Sequence, residues 1–165
     1  MRRLVPVCLC SLCCIVPATA GGAKNDQGFL AKLIADQMAE IKMAETARDN
    51  AASADVKNYA KHLIDDHTKL RNLLLDKARI MKISVVQELE KDYKAKIDRL
   101  AKLRGADLDR EYIKMIIDDH QKELSELPGK LKTLQDQELR TMITNALPTM
   151  REHLKMAQKI AQDLK

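Results

Sequence analysis

This chain predicts an all-α fold, a bundle of four amphipathic helices with an additional helical crossover between the second and the third. Three observations carry that expectation. Of 165 residues only five are Gly and four are Pro, while 45% are apolar and 32% charged, a balance suited to long helices with solvated faces. With no Trp and a single Phe, the core must come from Leu, Ile, Val, Met and Ala, which helices pack well, whereas sheets favour aromatic and β-branched residues. Finally, apolar residues recur every three or four positions along most of the chain, the period of a helix with one buried face.

Residues 1–20 stand apart from that pattern. Arg2 and Arg3 precede an apolar run, Leu4–Val16, and Ala18-Thr19-Ala20 has the small-x-small form of a cleavage site. This reads as a secretory signal peptide cut after Ala20, too short to span a bilayer comfortably, so a periplasmic protein without a membrane anchor is expected. Cys8, Cys10, Cys13 and Cys14 all leave with it, which excludes disulfides, a thiolate metal site and a cysteine nucleophile in the mature chain. Loss of Arg2 and Arg3 lowers the formal charge from +5 to +3. The remaining charges are interleaved and aromatic residues are almost absent, so no nucleic-acid partner is expected.

Residues 21–27 form a polar, flexible leader before a helical domain over 28–165. Helix A runs from about Gly28 to Asp49, with Leu30, Leu33, Ile34, Gln37, Ile41 and Ala44 inward. Ser53 is placed to cap helix B, which reaches about Met81 with Val56, Ala60, Leu63, His67, Leu70 and Leu74 on its stripe. Ser84 to Gln87 has the form of a capping box and opens the crossover, which ends near Gly105 after nineteen or so residues, roughly 28 Å of helix. Asp107 caps helix C, with Ile113, Ile116, His120, Glu123 or Leu124, and Leu127 inward, and Pro128-Gly129 ends it. Helix D starts near Asp136 and carries Leu139, Ile143, Ala146, Met150, His153, Ala157, Ile160 and Leu164 inward, with a kink or restart at Pro148.

Two internal repeats are visible. Tyr59–Lys69 (YAKHLIDDHTK) returns as Tyr112–Lys122 (YIKMIIDDHQK), 53 residues later. A looser match at 83 residues lays Phe29–Ala60 over Tyr112–Ile143, bringing Asp36 onto Asp119 and Glu40 onto Glu123. The longer match predicts two related hairpins, A/B and C/D; the shorter one marks similar surroundings in helices B and C.

His67, His120 and His153 fall on the inward stripes of three helices, and bundle cores are where facing helices build metal sites. Glu123 lies one turn after His120, and Glu40 sits on the shoulder of helix A. Together they form a candidate site for Fe, Mn, Zn or Cu. Asp66 and Asp119, at the stripe edges, are candidates to orient an imidazole from behind. The dinuclear Glu-x-x-His pattern is absent, since Ile64, Ile117 and Met150 stand three residues before the histidines. Met150, His153 and Met156 offer a soft Cu(I) alternative, against which stands the ordinary use of Met as core filler. His62 reads as a surface residue. With no Gly-rich phosphate loop and no Ser-centred nucleophile, hydrolase and nucleotide-dependent activities find no support, and no enzyme is expected.

Phe29 to Glu40, Asp55-Val-Lys with His62-Leu-Ile-Asp-Asp-His67, Asp109 to His120 and Leu147-Pro-Thr-Met-Arg-Glu-His153 together resemble the exported bacterial ferritin-like family called domain of unknown function 4142. The resemblance covers nearly the whole mature chain. It implies a ferritin-like four-helix bundle with an extra crossover helix, exported from a Gram-negative-type cell, and it carries over to His67, His120, His153 and Glu40. It implies no activity. Two readings follow: a binding protein whose His/Glu-lined core holds a metal ion or small ligand, and a structural or interaction module with an envelope partner, stress-related in character, and no metal.

Overall fold

The computed structural model describes residues 20–85 and 88–164. Residues 1–19 of the expected signal peptide lie outside the described residues, as do Val86 and Gln87 of the expected capping box. Five helices follow in order: α1 (Ala20–Asn50), α2 (Ala54–Ile80), α3 (Lys91–Ala101), α4 (Gly105–Leu131) and α5 (Gln137–Asp163). The closest packing joins α1 to α2 and α4 to α5, so the hairpins of the 83-residue repeat are the architectural units. No described helix is long and apolar enough to cross a membrane.

The core divides into two apolar clusters. One gathers Met43, Ala47, Val56, Tyr59, Leu63, Leu108, Tyr112, Ile116 and Ala157; the other gathers Leu30, Ile34, Leu74, Leu127, Leu139, Ile143 and Met150. Helices α1 and α5 contribute their C-terminal halves to the first cluster, whereas α2 and α4 contribute their N-terminal halves. The four long helices therefore run up, down, down and up, and α3 sits on the connection that returns the chain between the two parallel members. Between the clusters, each long helix brings polar side chains inward, forming an equatorial layer.

The repeat is most visible where backbone groups need partners. Asp109, on α4, accepts from the amides of Ala52 (2.9 Å) and Ser53 (2.8 Å) in the α1–α2 turn. Asp26, on α1, accepts from the amides of Gln135 (2.9 Å) and Asp136 (2.6 Å) in the α4–α5 turn, each group displaced by 83 residues from its counterpart. Ser53 caps α2 by accepting from Val56, and Asp136 caps α5 by accepting from Leu139, again at the same spacing. Both acids are nearly inaccessible, and each reaches across the bundle to accept from amides of a turn in which Ala52 or Gln135 is itself exposed.

Several boundaries differ from expectation. Residues 21–27 belong to α1 rather than to a leader, and Asp26 fastens that first stretch to the opposite hairpin. The crossover helix has eleven residues, not nineteen, and starts after Glu90. Ser84 is not helical; Ile83 and Val85 pack against the second apolar cluster instead, so burial along a connection outweighs the local helix signal. Gly105 does not cap α3, which ends at Ala101 with Lys102 as its cap; it opens α4 with φ +61°, a left-handed backbone that suits Gly, and Arg104 rather than Asp107 holds the cap position. Helix α4 passes through Pro128 to Leu131, and α5 is continuous through Pro148.

Candidate metal centre

The equatorial layer is built by register. Helix α2 alternates steps of four and three along Val56, Ala60, Leu63, His67, Leu70 and Leu74, so packing its leucines inward carries the imidazole inward too. The same logic seats His120 between Ile116 and Leu127, and His153 between Met150 and Ala157. All three rings are buried, at 4%, 0% and 2% exposure for His67, His120 and His153. Their centroids stand 5.3 Å (His67–His153), 5.6 Å (His120–His153) and 5.7 Å (His67–His120) apart. One ligand nitrogen from each lies within 4.8 Å of the others, and Glu40, His120 and Glu123 form a second such trio.

Hydrogen bonds aim these nitrogens. Gln37 Oε1, an acceptor oxygen, lies 2.9 Å from His67 Nδ1, so Nδ1 carries the proton and Nε2 turns its lone pair to the centre. Asp66 Oδ2 stands 3.3 Å from His153 Nε2, which leaves His153 Nδ1 as the lone-pair atom, 3.4 Å from His120 Nε2. The Tyr59 hydroxyl donates to the His153 carbonyl at 2.9 Å and steadies α5 there. Glu40 closes the layer from α1: its Oε2 is 3.3 Å from His67 Nε2 and 3.8 Å from His120 Nδ1. His67 Nε2 and His120 Nδ1 are buried without a hydrogen-bond partner, and both Glu40 oxygens are buried with no donor but a proton shared with the neighbouring Glu123 carboxyl.

Burial dominates the electrostatics. It holds His67 well below its usual pKa of 6.5, helped by His120 and His153. Burial and His153 bring His120 down to about 4, and burial lowers His153 against the opposing pull of Asp66. The rings are therefore neutral at pH 7, the form that binds metals. The Glu40 carboxyl is pushed well above its ordinary value, by burial and then by Glu123. Glu123, partly open by surface area yet densely surrounded, is pushed up to about 7 by burial and then by Asp36 and Asp119. Two further acids at this level have cations: Lys32 lies 2.8 Å from Asp36, and Lys96 of α3 pairs with Asp119.

The residues singled out in the sequence thus part into two groups. His67, His120, His153, Glu40 and Glu123 converge, and Asp66 sits behind an imidazole, although the ring is that of His153 on α5 rather than its neighbour His67. Asp119, in the same local sequence, faces Lys96 and hydrogen-bonds no imidazole among the described residues. Met150 and Met156 fall into different apolar clusters, one on each side of the layer, which suits core filling. His62 is 45% exposed, 3.5 Å from Asp66 Oδ2 and edge-on to His153. Sequence reasoning missed the roles of Gln37 and Tyr59. Gln37 left one usable signal, a polar residue on an apolar stripe.

A family model described as "Domain of unknown function (DUF4142)" matches residues 15–160. No curated protein matches the chain. Among solved structures, a DUF305 fragment from Deinococcus radiodurans is similar with a TM-score of 0.72 at 13% identity, covering 90% of this chain and 99% of that one, a likeness that speaks to the fold alone.

Proposed function

We propose that this chain, which belongs to the DUF4142 family, is a metal-binding protein whose equatorial layer holds one divalent transition-metal ion through His67, His120, His153 and Glu40. A single observation carries the reading. His67 Nε2 and Glu40 Oε2 face each other at 3.3 Å, both buried, with no donor to either except a proton shared between Glu40 and Glu123, and the Gln37 contact leaves the nitrogen no proton to offer. Two lone pairs so placed need a positive centre between them, either a proton on Glu40 or a cation. Ligands 2.0–2.1 Å from a tetrahedral ion stand about 3.3 Å apart, which matches that spacing.

Charge counting supports one ion rather than two. With Asp36 and Asp119 paired to Lys32 and Lys96, the carboxyls left without a cation are Glu40 and Glu123, both pushed toward the protonated form, and a dication that displaced their protons would balance both in a site where uncompensated charge is costly. Glu123 then serves as the charge partner beside Glu40. His120 needs only to shift its proton from Nε2 to Nδ1, toward Glu40, to offer Nε2 as a donor. Export through residues 1–20 and kinship with ferritin-like bundles belong to the same proposal. The up-down-down-up order with one crossover supports the second. The role assigned is binding, not catalysis.

The test is metal analysis of untagged protein, repeated on His67→Ala and His120→Ala. About one equivalent of metal in the parent, lost in both variants, is the expected result. A metal-free parent whose variants lose only stability would move the layer to the rival role, a polar band that fixes helix register in an envelope module.

A further inference from the structure

A cleft of about 250 Å3 opens between α2 and α5 and ends on His67 and His153. Leu70, Met142, Ala146 and Met150 give it apolar walls, Gln37, Asp66, Lys69, Asn145 and Thr149 add polar groups, and Leu73 also lines it with 57% of its surface exposed. Glu40 and His120 do not line it; they close the centre from the far side. A larger cavity of about 820 Å3 on the α1/α4 side reaches Gln37 and Glu123 but none of the four donors, so an ion held by them would be approached from the α2/α5 side. Four protein donors fill a tetrahedral site, so a ligand arriving through the cleft would enter as a fifth neighbour, an expansion that zinc sites allow.

We propose that this cleft is a ligand site in which a small neutral organic molecule, an apolar body carrying one nitrogen donor, adds a fifth donor to the ion. The proposal rests on the metal reading above. Most of the surface the cleft exposes is apolar, which favours an apolar body, although those polar groups also stand among its lining residues. The charge balance dictates a neutral donor. Glu40 and Glu123 already match a divalent ion, so an anionic ligand would leave a net negative charge in a poorly solvated site, while an azole nitrogen adds none. The volume limits the ligand to one ring or a short branched chain.

Cobalt(II) loaded into the full chain reports on this directly through its visible absorption, with methylimidazole and azide as the probes. The expected result is a saturable change in the cobalt spectrum with methylimidazole and a weaker response to azide. Ala146→Leu, which narrows the cleft without touching a donor atom, should weaken methylimidazole by about tenfold or more and leave cobalt affinity unchanged. Thr149→Phe, at the exposed wall, provides a second obstruction that does not depend on repacking the core. A cobalt spectrum that methylimidazole does not alter would overturn the proposal. So would tighter binding of azide, or unchanged methylimidazole affinity in both variants. If no bound-cobalt spectrum develops before any probe is added, the metal reading itself has failed and this one falls with it.

Discussion

At their ends, the α1/α2 and α4/α5 hairpins solve the same problem in the same way; at their middles they diverge. Asp26 and Asp109 each cross to the opposite turn and accept from two amides, and Ser53 and Asp136 each cap the helix that follows. One level in, the 83-residue correspondence sets Gln37 against His120, His67 against Met150 and Leu70 against His153. The carboxylates keep their symmetry, Asp36 against Asp119 and, without a lysine partner, Glu40 against Glu123. The difference separates two demands on the chain. Turn amides must be satisfied wherever a hairpin closes, so both halves keep the acid that does it. Nothing in the fold requires an imidazole in the middle, and there each half supplies what the other lacks: two histidines from the second, and one with its orienting Gln from the first.

The largest effect should come from breaking the matched ends. Asp109→Ala removes the acceptor shared by two amides of the α1–α2 turn and should cost about 1–3 kcal/mol in urea unfolding, and Asp26→Ala should cost a similar amount. If Asp26→Ala proves harmless, the equivalence of the two ends is broken. Next comes the unmatched middle. Gln37→Leu leaves every proposed ligand in place but frees the His67 tautomer, so metal affinity in a chelator competition should fall about 10–100-fold. Asp66→Asn, behind His153, should act in the same direction.

The symmetric pair without lysine partners predicts a pH dependence. Glu123 is raised from 4.5 to about 7 in the folded chain, so the stability it contributes is present below 4.5 and is lost as pH rises through about 7. His120 is lowered from 6.5 to about 4, so its contribution is present above 6.5 and is lost as pH falls through about 4. In the presence of chelator, Glu123→Gln should therefore gain stability relative to the parent as pH rises from 5 to 8, and a flat difference would refute the buried-carboxylate account. The smallest effect belongs to the caps: Ser53→Ala should cost about 1 kcal/mol, measured by the same unfolding assay.

Much of this architecture could be read from the chain because it follows from local rules. The four-and-three spacing that buries Leu63 and Leu74 also buries His67, and the 83-residue offset predicts the two hairpins. What escaped was non-local. Ile-Asp-Asp-His occurs twice, yet Asp66 meets His153 while Asp119 meets Lys96, because α2 and α4 have different neighbours. The pairing of Asp109 with the α1–α2 turn spans 56 and 57 residues and leaves no periodic trace. The crossover was overestimated because Ile83 and Val85 find burial without a helix, which a capping signal cannot anticipate.

The central claim is that a cation fits between His67 Nε2 and Glu40 Oε2 with two further imidazoles around it. X-ray absorption at the zinc edge of a stoichiometrically loaded chain addresses it most directly. The account predicts four nitrogen or oxygen neighbours at about 2.0–2.1 Å, with outer scattering from three imidazole rings that drops to two in His153→Ala. A shell of light neighbours without imidazole scattering, unchanged by that substitution, would place the zinc elsewhere and contradict it.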